Sequence, residues 1–119
     1  MKPLINPGNP TPSKFGIGML NPESGKIVMF DDCQRRSGIL FDYKGPTYTA
    51  LLATSLQPII LGKLIRQATN QVNARDGRHI VWVFEEEDTK DFVKSIFDNI
   101  PTLKGKIQFD SEPMPGFSI

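Results

Sequence analysis

The first half of the chain alternates short apolar runs with turn signals and predicts three consecutive strands. KFGIGML at residues 14–20 and KIVMFDDC at residues 26–33 flank the segment NPESG, a turn composition that predicts a hairpin. A second turn at residues 34–38 leads into GILFDYKG, whose branched and aromatic residues favour a strand. Gly45-Pro46 closes that strand.

The second half predicts helices that alternate with strands. Residues 47–55 favour a short helix, and a longer one begins at Gln57-Pro58, because proline is tolerated in a first helical turn. Its apolar residues recur at three- and four-residue spacing and stop before Asp76-Gly77. They are Leu61, Leu64, Ile65, Ala68 and Val72. HIVWVFE at residues 79–85 is nearly all apolar, which predicts a central strand parallel to a neighbour, with Trp82 in the core.

One more helix and one more strand complete the predicted α/β fold. Asp88 or Thr89 is expected to cap a helix that Pro101 ends. The buried face of this helix is formed by Phe92, Val93, Ile96, Phe97 and Ile100. KIQFDSE at residues 106–112 supplies the last strand. Three strands, a helix, a strand, a helix and a strand predict a mixed sheet that helices cover.

Composition predicts a short arm followed by a single domain. Residues 1–14 hold four prolines and are expected to form a flexible arm or linker, which leaves residues 15–119 as one domain. No apolar run approaches the roughly 20 residues that cross a membrane, so we expect a soluble protein.

The counts of cysteine and histidine exclude several kinds of site. Cys33 is the only cysteine, which excludes an internal disulfide and is consistent with a protein of the cytoplasm. His79 is the only histidine, which excludes two-histidine ribonuclease sites and histidine-rich zinc sites.

The strand at residues 38–45 carries the candidate chemistry. Side chains alternate across a sheet, so Asp42 and Lys44 share one face with Leu40. Antiparallel pairing with the preceding strand would bring Asp31 or Asp32 to the same strand end. Two converging carboxylates suit magnesium, which prefers such oxygens, keeps several waters and lowers the pKa of one of them. Lys44 is then placed to orient that water or to hold a phosphate.

An acid on one strand followed by acid-x-lysine on the next resembles the PD-(D/E)xK nuclease superfamily. The residues that carry this resemblance are Asp31 and Asp42-Tyr43-Lys44. The longer pattern of Phe30-Asp31, FDYKGPTY, the helix with Gln67 and Gln71, HIVWVFEE and KIQFDSEP is similar to the restriction-endonuclease-fold toxins of bacterial polymorphic and type VI secretion effectors. It covers about residues 26–113 and implies a restriction-endonuclease-like mixed sheet flanked by helices.

The resemblance implies a role for each matching residue. Asp31 and Asp42 would ligate magnesium or manganese, and Lys44 and Gln67 would complete the catalytic set. Asp32 stands where the family often has glycine, which leaves open whether Asp31 or Asp32 is the ligand. Separately from the resemblance, Arg35, Arg36, Lys63 and Gln71 are candidate contacts to the substrate. Arg35 and Arg36 lie in a turn and could grip a phosphate backbone, although two arginines in a turn are more often solvated.

The same resemblance implies a biological setting. The chain would be a metal-dependent DNase toxin domain, held in the cytoplasm of its producer with a cognate immunity protein and carried by a secretion-system carrier or chaperone. A secretion system would then deliver it into the cytoplasm of a target cell. DNA would be the substrate, and no membrane would be a partner.

Simpler explanations compete with this interpretation. Acid-x-lysine alone is a weak signal, because Asp88-Thr89-Lys90 also matches it at the predicted start of a helix. An aspartate and a lysine on the solvent-facing side of an edge strand would need no function, and glutamines beside an apolar stripe are often solvated. Tyr43 and Tyr48 could stack on a base, although Tyr43 is expected in the core. An RNA- or tRNA-cleaving toxin, or a non-catalytic module that binds nucleic acid or protein on the same fold, also remains open.

Overall fold

The computed structural model describes residues 11–13, 16–34, 37–45 and 47–112, and these form a mixed α/β domain. Its strands and helices follow the predicted order, with one additional strand at the start and with the second predicted strand divided in two. They are β1 (Thr11–Ser13), β2 (Gly16–Leu20), β3 (Ile27–Phe30), β4 (Asp32–Cys33), β5 (Leu40–Lys44), α1 (Thr47–Leu52), α2 (Gln57–Ala74), β6 (Ile80–Phe84), α3 (Glu87–Phe97) and β7 (Gln108–Ser111).

The strands form two sheets. The order β1-β2-β3 is antiparallel throughout, and the predicted hairpin joins β2 to β3. Its turn is held by Asn21, whose Oδ1 accepts a hydrogen bond from the Glu23 N–H at 3.0 Å. Because Thr11–Ser13 pairs with β2, this part of the predicted arm is a strand, and residues 1–10 and 14 lie outside the described residues.

The second sheet has the order β4-β5-β6-β7 and is mixed, as predicted. β4 pairs antiparallel with β5, whereas β5, β6 and β7 are parallel to one another. Helix connections allow this parallel arrangement, because α1 and α2 link β5 to β6 and α3 lies between β6 and β7. The prediction that residues 79–85 form a central parallel strand is confirmed, since all five residues of β6 are buried.

The chain passes from one sheet to the other at Asp31. The single strand predicted over residues 26–33 is divided there, with β3 in the first sheet and β4 in the second. The Asp31 N–H donates to the Phe41 carbonyl at 2.9 Å, so the break already lies against β5. This crossing places a carboxyl group at the junction of the two sheets.

The helices cover the core largely as their patterns predict. Leu64 and Ala68 of α2 are buried, and the helix ends ahead of Asp76 and Gly77, which have φ of 50° and 76°. Trp82 is fully buried and meets Phe97 of α3 edge to face at 5.5 Å between ring centroids. None of the helices in the described ranges is long and apolar enough to span a membrane.

Three local predictions were wrong. Glu86 occupies the N-cap of α3 without a side-chain cap bond, whereas Thr89 lies inside the helix and is hydrogen-bonded to Thr49 at 2.6 Å. The helix ends at Phe97, before Pro101, because the chain turns immediately after it. Tyr43 is 38% exposed rather than in the core, since its face of β5 carries only a small apolar cluster and Tyr43 stacks at its margin on Phe41.

Gly16 allows the first sheet to approach the crossing at Asp31. Its φ of 125° is rarely adopted by residues with a side chain, and a Cβ there would overlap the Phe30 carbonyl. We therefore expect Gly16→Ala to lower the free energy of unfolding by about 2 kcal/mol in urea titrations. The control Gly62→Ala lies in α2 with nothing within 4 Å of its Cβ position, and it should stabilise the protein by about 0.5–1 kcal/mol. Equal effects would show that the close approach does not matter.

Candidate functional site

Asp42 and Lys44 form a buried ion pair on one face of β5. Their relative exposures are 6% and 2%, and the Lys44 Nζ lies 3.0 Å from the Asp42 Oδ2. The alternation of the strand directs both side chains to the face that α2 covers. The explanation that these two residues lie on a solvent-facing edge is therefore wrong.

Helix α2 supplies two glutamines to this pair. Gln67 and Gln71 are four residues apart and so lie on the same face of the helix. The Gln67 Oε1 accepts from the Lys44 Nζ at 2.5 Å, and its Nε2 donates to the Asp42 Oδ2 at 3.1 Å. The Gln71 Nε2 donates to the same oxygen at 2.7 Å. One carboxylate oxygen thus accepts hydrogen bonds from three side chains, which fixes the orientation of Asp42.

Gln71 connects this site to the core. It is completely buried, and its Oε1 accepts a hydrogen bond from the Trp82 Nε1 at 2.7 Å. Asp42 and Trp82 are paired across the parallel strands β5 and β6, so both face the same glutamine. The expectation that Gln71 contacts the substrate is corrected by this burial, because its polar atoms are occupied by Asp42 and Trp82. It is a positioning residue.

Asp31 reaches the site from the crossing between the sheets. Its Oδ2 accepts a hydrogen bond from the Tyr43 N–H at 2.6 Å. This bond holds the Asp31 carboxyl group at the residue that follows Asp42, where the charge of Asp42 acts on it. The Asp32 side chain instead accepts from the Cys33 N–H at 2.8 Å. Of the two aspartates left open by the sequence, Asp31 is the one that lies beside Asp42.

The charge of Asp42 disfavours ionisation of Asp31. Partial burial raises the pKa of Asp31 above its ordinary value, although the residue as a whole is exposed. The hydrogen bond from the Tyr43 N–H favours the charged form of Asp31 and so lowers its pKa. The negative charge of Asp42 and a side-chain hydrogen bond with Asp42 raise the pKa of Asp31 further. A neighbouring negative charge disfavours ionisation unless a cation compensates it.

The ammonium group of Lys44 lies in an aromatic setting. Burial lowers its pKa, and the negative charge of Asp42 opposes that shift. The Nζ is 4.2 Å from the centroid of the Trp82 ring and 5.6 Å from that of Tyr48. The pKa of Tyr48 is raised by burial and by the charges of Asp42 and Asp31, so this phenol belongs to the site. Only a stacking role was predicted for Tyr48, since no sequence pattern relates α1 to β5.

Three further residues are predicted to contact the substrate. Lys63 is exposed on α2 and lines a cavity of about 580 Å³ that Gln67 also lines. Arg35 and Arg36 lie outside the described residues. The structure therefore brings Asp31, Asp42, Lys44 and Gln67 together, with Lys63 at an adjoining surface.

The donor set of the site is small and consists of carboxyl groups. Within the described parts of the chain, no group of three or more histidine, cysteine, aspartate and glutamate side chains is arranged to hold a metal ion. Magnesium commonly uses one or two carboxylates, with waters and substrate phosphates completing its coordination. Asp31 and Asp42 provide two adjacent carboxyl groups, and the hydrogen bonds donated to Asp42 by described side chains all fall on one oxygen, Oδ2.

The chain was compared with known proteins by sequence and by structure. No protein-family model, no curated protein and no solved structure matches it. What the site does is therefore inferred from its own side chains.

Removing the Gln71 amide tests whether this buried network is an integral part of the fold. In Gln71→Leu the Trp82 N–H loses its partner and Asp42 loses one donor, so we expect the free energy of unfolding to fall by about 2 kcal/mol. The matched control Asn73→Ala changes an exposed residue of the same helix and should alter it by less than about 0.5 kcal/mol. Urea denaturation followed by tryptophan fluorescence measures both. Equal stability of Gln71→Leu and the wild type would contradict the network.

Proposed function

We propose that this domain is a metal-dependent nuclease that hydrolyses phosphodiester bonds in DNA and acts as an antibacterial toxin domain. One observation carries the proposal: Asp31, bonded to the backbone of Phe41 and Tyr43, lies beside Asp42, and the buried Lys44 ammonium is bound to Asp42. Two acids and a base at one point are more than a structural core requires, because burying charge opposes folding.

The pair of acids supports a role in holding a cation. The charge of Asp42 disfavours ionisation of Asp31, and a bound divalent cation would offset that repulsion. Asp31 and Asp42 would be the protein ligands of magnesium or manganese. The bound metal would supply positive charge to the attacked phosphate and make a water molecule more acidic.

The side chains around the acids support a role in orienting the reacting groups. Gln67 is bonded to both Lys44 and Asp42, so it holds the ammonium and the carboxylate in a fixed relation. The Lys44 ammonium is 2% exposed and bonded to Asp42 and Gln67, so it acts on the reaction through the Asp42 carboxylate that it binds. Lys44 is accordingly assigned to orienting Asp42, and Gln67 to holding the two groups in place.

The biological part of the proposal is supported by the sequence resemblance. A toxin nuclease acts inside a target cell, and its producer needs an immunity protein that blocks the site. The resemblance also implies a secretion-system carrier or chaperone. The geometry described above supports the chemistry of the reaction.

Plasmid cleavage tests the proposed chemistry. We expect the protein to nick supercoiled plasmid in magnesium, to lose activity in EDTA, and to lose at least about 100-fold in rate in Asp42→Ala and Lys44→Ala. The control Asp88→Ala alters the chain's second acid-x-lysine triplet, where Asp88 is an exposed residue of α3. It should cleave as the wild type does.

The outcomes separate the alternative functions. Loss of cleavage in Asp42→Ala and Lys44→Ala but not in Asp88→Ala would support a reaction at the buried pair. Cleavage of total RNA with intact plasmid would replace DNA by RNA as the substrate. If both nucleic acids stay intact in magnesium and manganese with the folded wild-type protein, the nuclease proposal is wrong and a binding module takes its place.

A further inference from the structure

A cavity of about 580 Å³ lies between β3 and α2, beside the buried ion pair. Three exposed cations, Lys26, Lys63 and Arg66, contribute to its lining, and we call it the basic groove. Gln67 lines the groove as well, and its amide is bonded to Lys44 and Asp42. The groove therefore adjoins the candidate site through one shared residue.

One face of α2 runs along the groove. Lys63 and Gln67 are four residues apart, as are Arg66 and Asn70, so these side chains lie on the same side of the helix. At a rise of 1.5 Å per residue this face is about 10 Å long, which is enough for a few nucleotides of a single strand. The cations lie toward the N-terminal side of Gln67, so the charge is concentrated at one end of the face.

The positive charge of the groove is not neutralised by any carboxylate that the structure describes. Among the described residues, no carboxylate is within ion-pair distance of the side chains of Lys26, Lys63 or Arg66. The whole chain has a formal charge of only +1, so three such cations in one groove are a local concentration. Lysine and arginine in this arrangement suit the phosphates of a nucleic acid.

The side of the groove opposite α2 carries Ser24 and Lys26 at its start and two exposed apolar side chains along β3. Ile27 and Met29 alternate on β3, share one face of the strand, and remain 42% and 36% exposed. A duplex presents its phosphates and sugars outward and keeps the faces of its bases stacked inside. A single strand can place its phosphates against cations and its unstacked bases against apolar side chains. The two walls of the groove match that combination.

We propose that the basic groove binds a single strand of nucleic acid and leads it to Asp31 and Asp42. The phosphates contact Lys26, Lys63 and Arg66, and the bases cover Ile27 and Met29. This proposal rests on the proposed nuclease function and specifies its substrate as an unpaired strand.

Binding can be measured without cleavage. In EDTA, fluorescence anisotropy with a labelled oligonucleotide of about 12 nucleotides should give a Kd for the single strand about tenfold below that for the same sequence as a duplex. The double variant Lys63→Ala/Arg66→Ala should weaken single-strand binding at least tenfold and make it less dependent on salt, with a slope reduced by roughly 0.7 per lost phosphate contact. The control double variant Lys104→Ala/Lys106→Ala removes the same charge from exposed residues elsewhere and should bind as the wild type does.

A second variant tests the apolar side chains of β3. Met29→Ser should weaken binding of the single strand several-fold and leave binding of the duplex unchanged, because only unstacked bases cover this side chain. Duplex binding equal to or tighter than single-strand binding would overturn the proposal, even if plasmid cleavage were confirmed.

The remaining outcomes distinguish this proposal from the nuclease function and from a protein ligand. Preference for the single strand without any cleavage would support the groove and reject the nuclease. Polyglutamate of the same charge as the oligonucleotide serves as a competitor. If it displaces the single strand equally well, the groove takes any polyanion, including an acidic protein segment, and the proposal is wrong.

Discussion

The arrangement of this domain depends on a charge pair buried beneath a helix. Asp42 and Lys44 are almost inaccessible, and removing charged groups from water opposes folding unless hydrogen bonds and an opposite charge compensate it. Gln67 and Gln71 supply those hydrogen bonds from α2, and Trp82 satisfies the far end of Gln71. Strand β5, strand β6 and helix α2 are thereby tied together by polar contacts as well as by apolar packing. Removing one side chain of this network leaves a buried polar group of another without its hydrogen-bond partner.

The topology adds a second acid to that pair. A continuous strand would have carried residues 27–33 along one sheet, with successive side chains on alternate faces. The crossing at Asp31 separates the strand into β3 and β4 and directs the Asp31 carboxyl toward Asp42, while Asp32 stays on the surface. Parallel pairing of β5 with β6 then places Trp82 beside Asp42. The site is thus formed where two sheets and one helix meet, close to an exposed groove.

Sequence patterns predicted those parts of the structure that depend on local order. Turn residues predicted the hairpin, helical spacing of apolar residues predicted α2, and a continuous apolar run predicted β6. Each of these signals favours one kind of secondary structure. The shared face of Asp42 and Lys44 follows from strand alternation alone. Choosing Asp31 over Asp32 required the position of the strand break, which no local pattern marks. Gln71 was misassigned because its burial depends on a distant tryptophan, and a polar residue beside an apolar stripe is usually solvated.

Direct measurement of metal binding tests the proposal that Asp31 and Asp42 together hold a divalent cation. Isothermal titration of manganese, and then of magnesium, into the wild-type protein should show one site, and Asp31→Asn and Asp42→Asn should each weaken binding at least tenfold. The control is Asp32→Asn, which removes the same charge one residue away and should bind as the wild type does. Loss of binding in Asp32→Asn with retention in Asp31→Asn, or no binding by the wild type, would contradict the account.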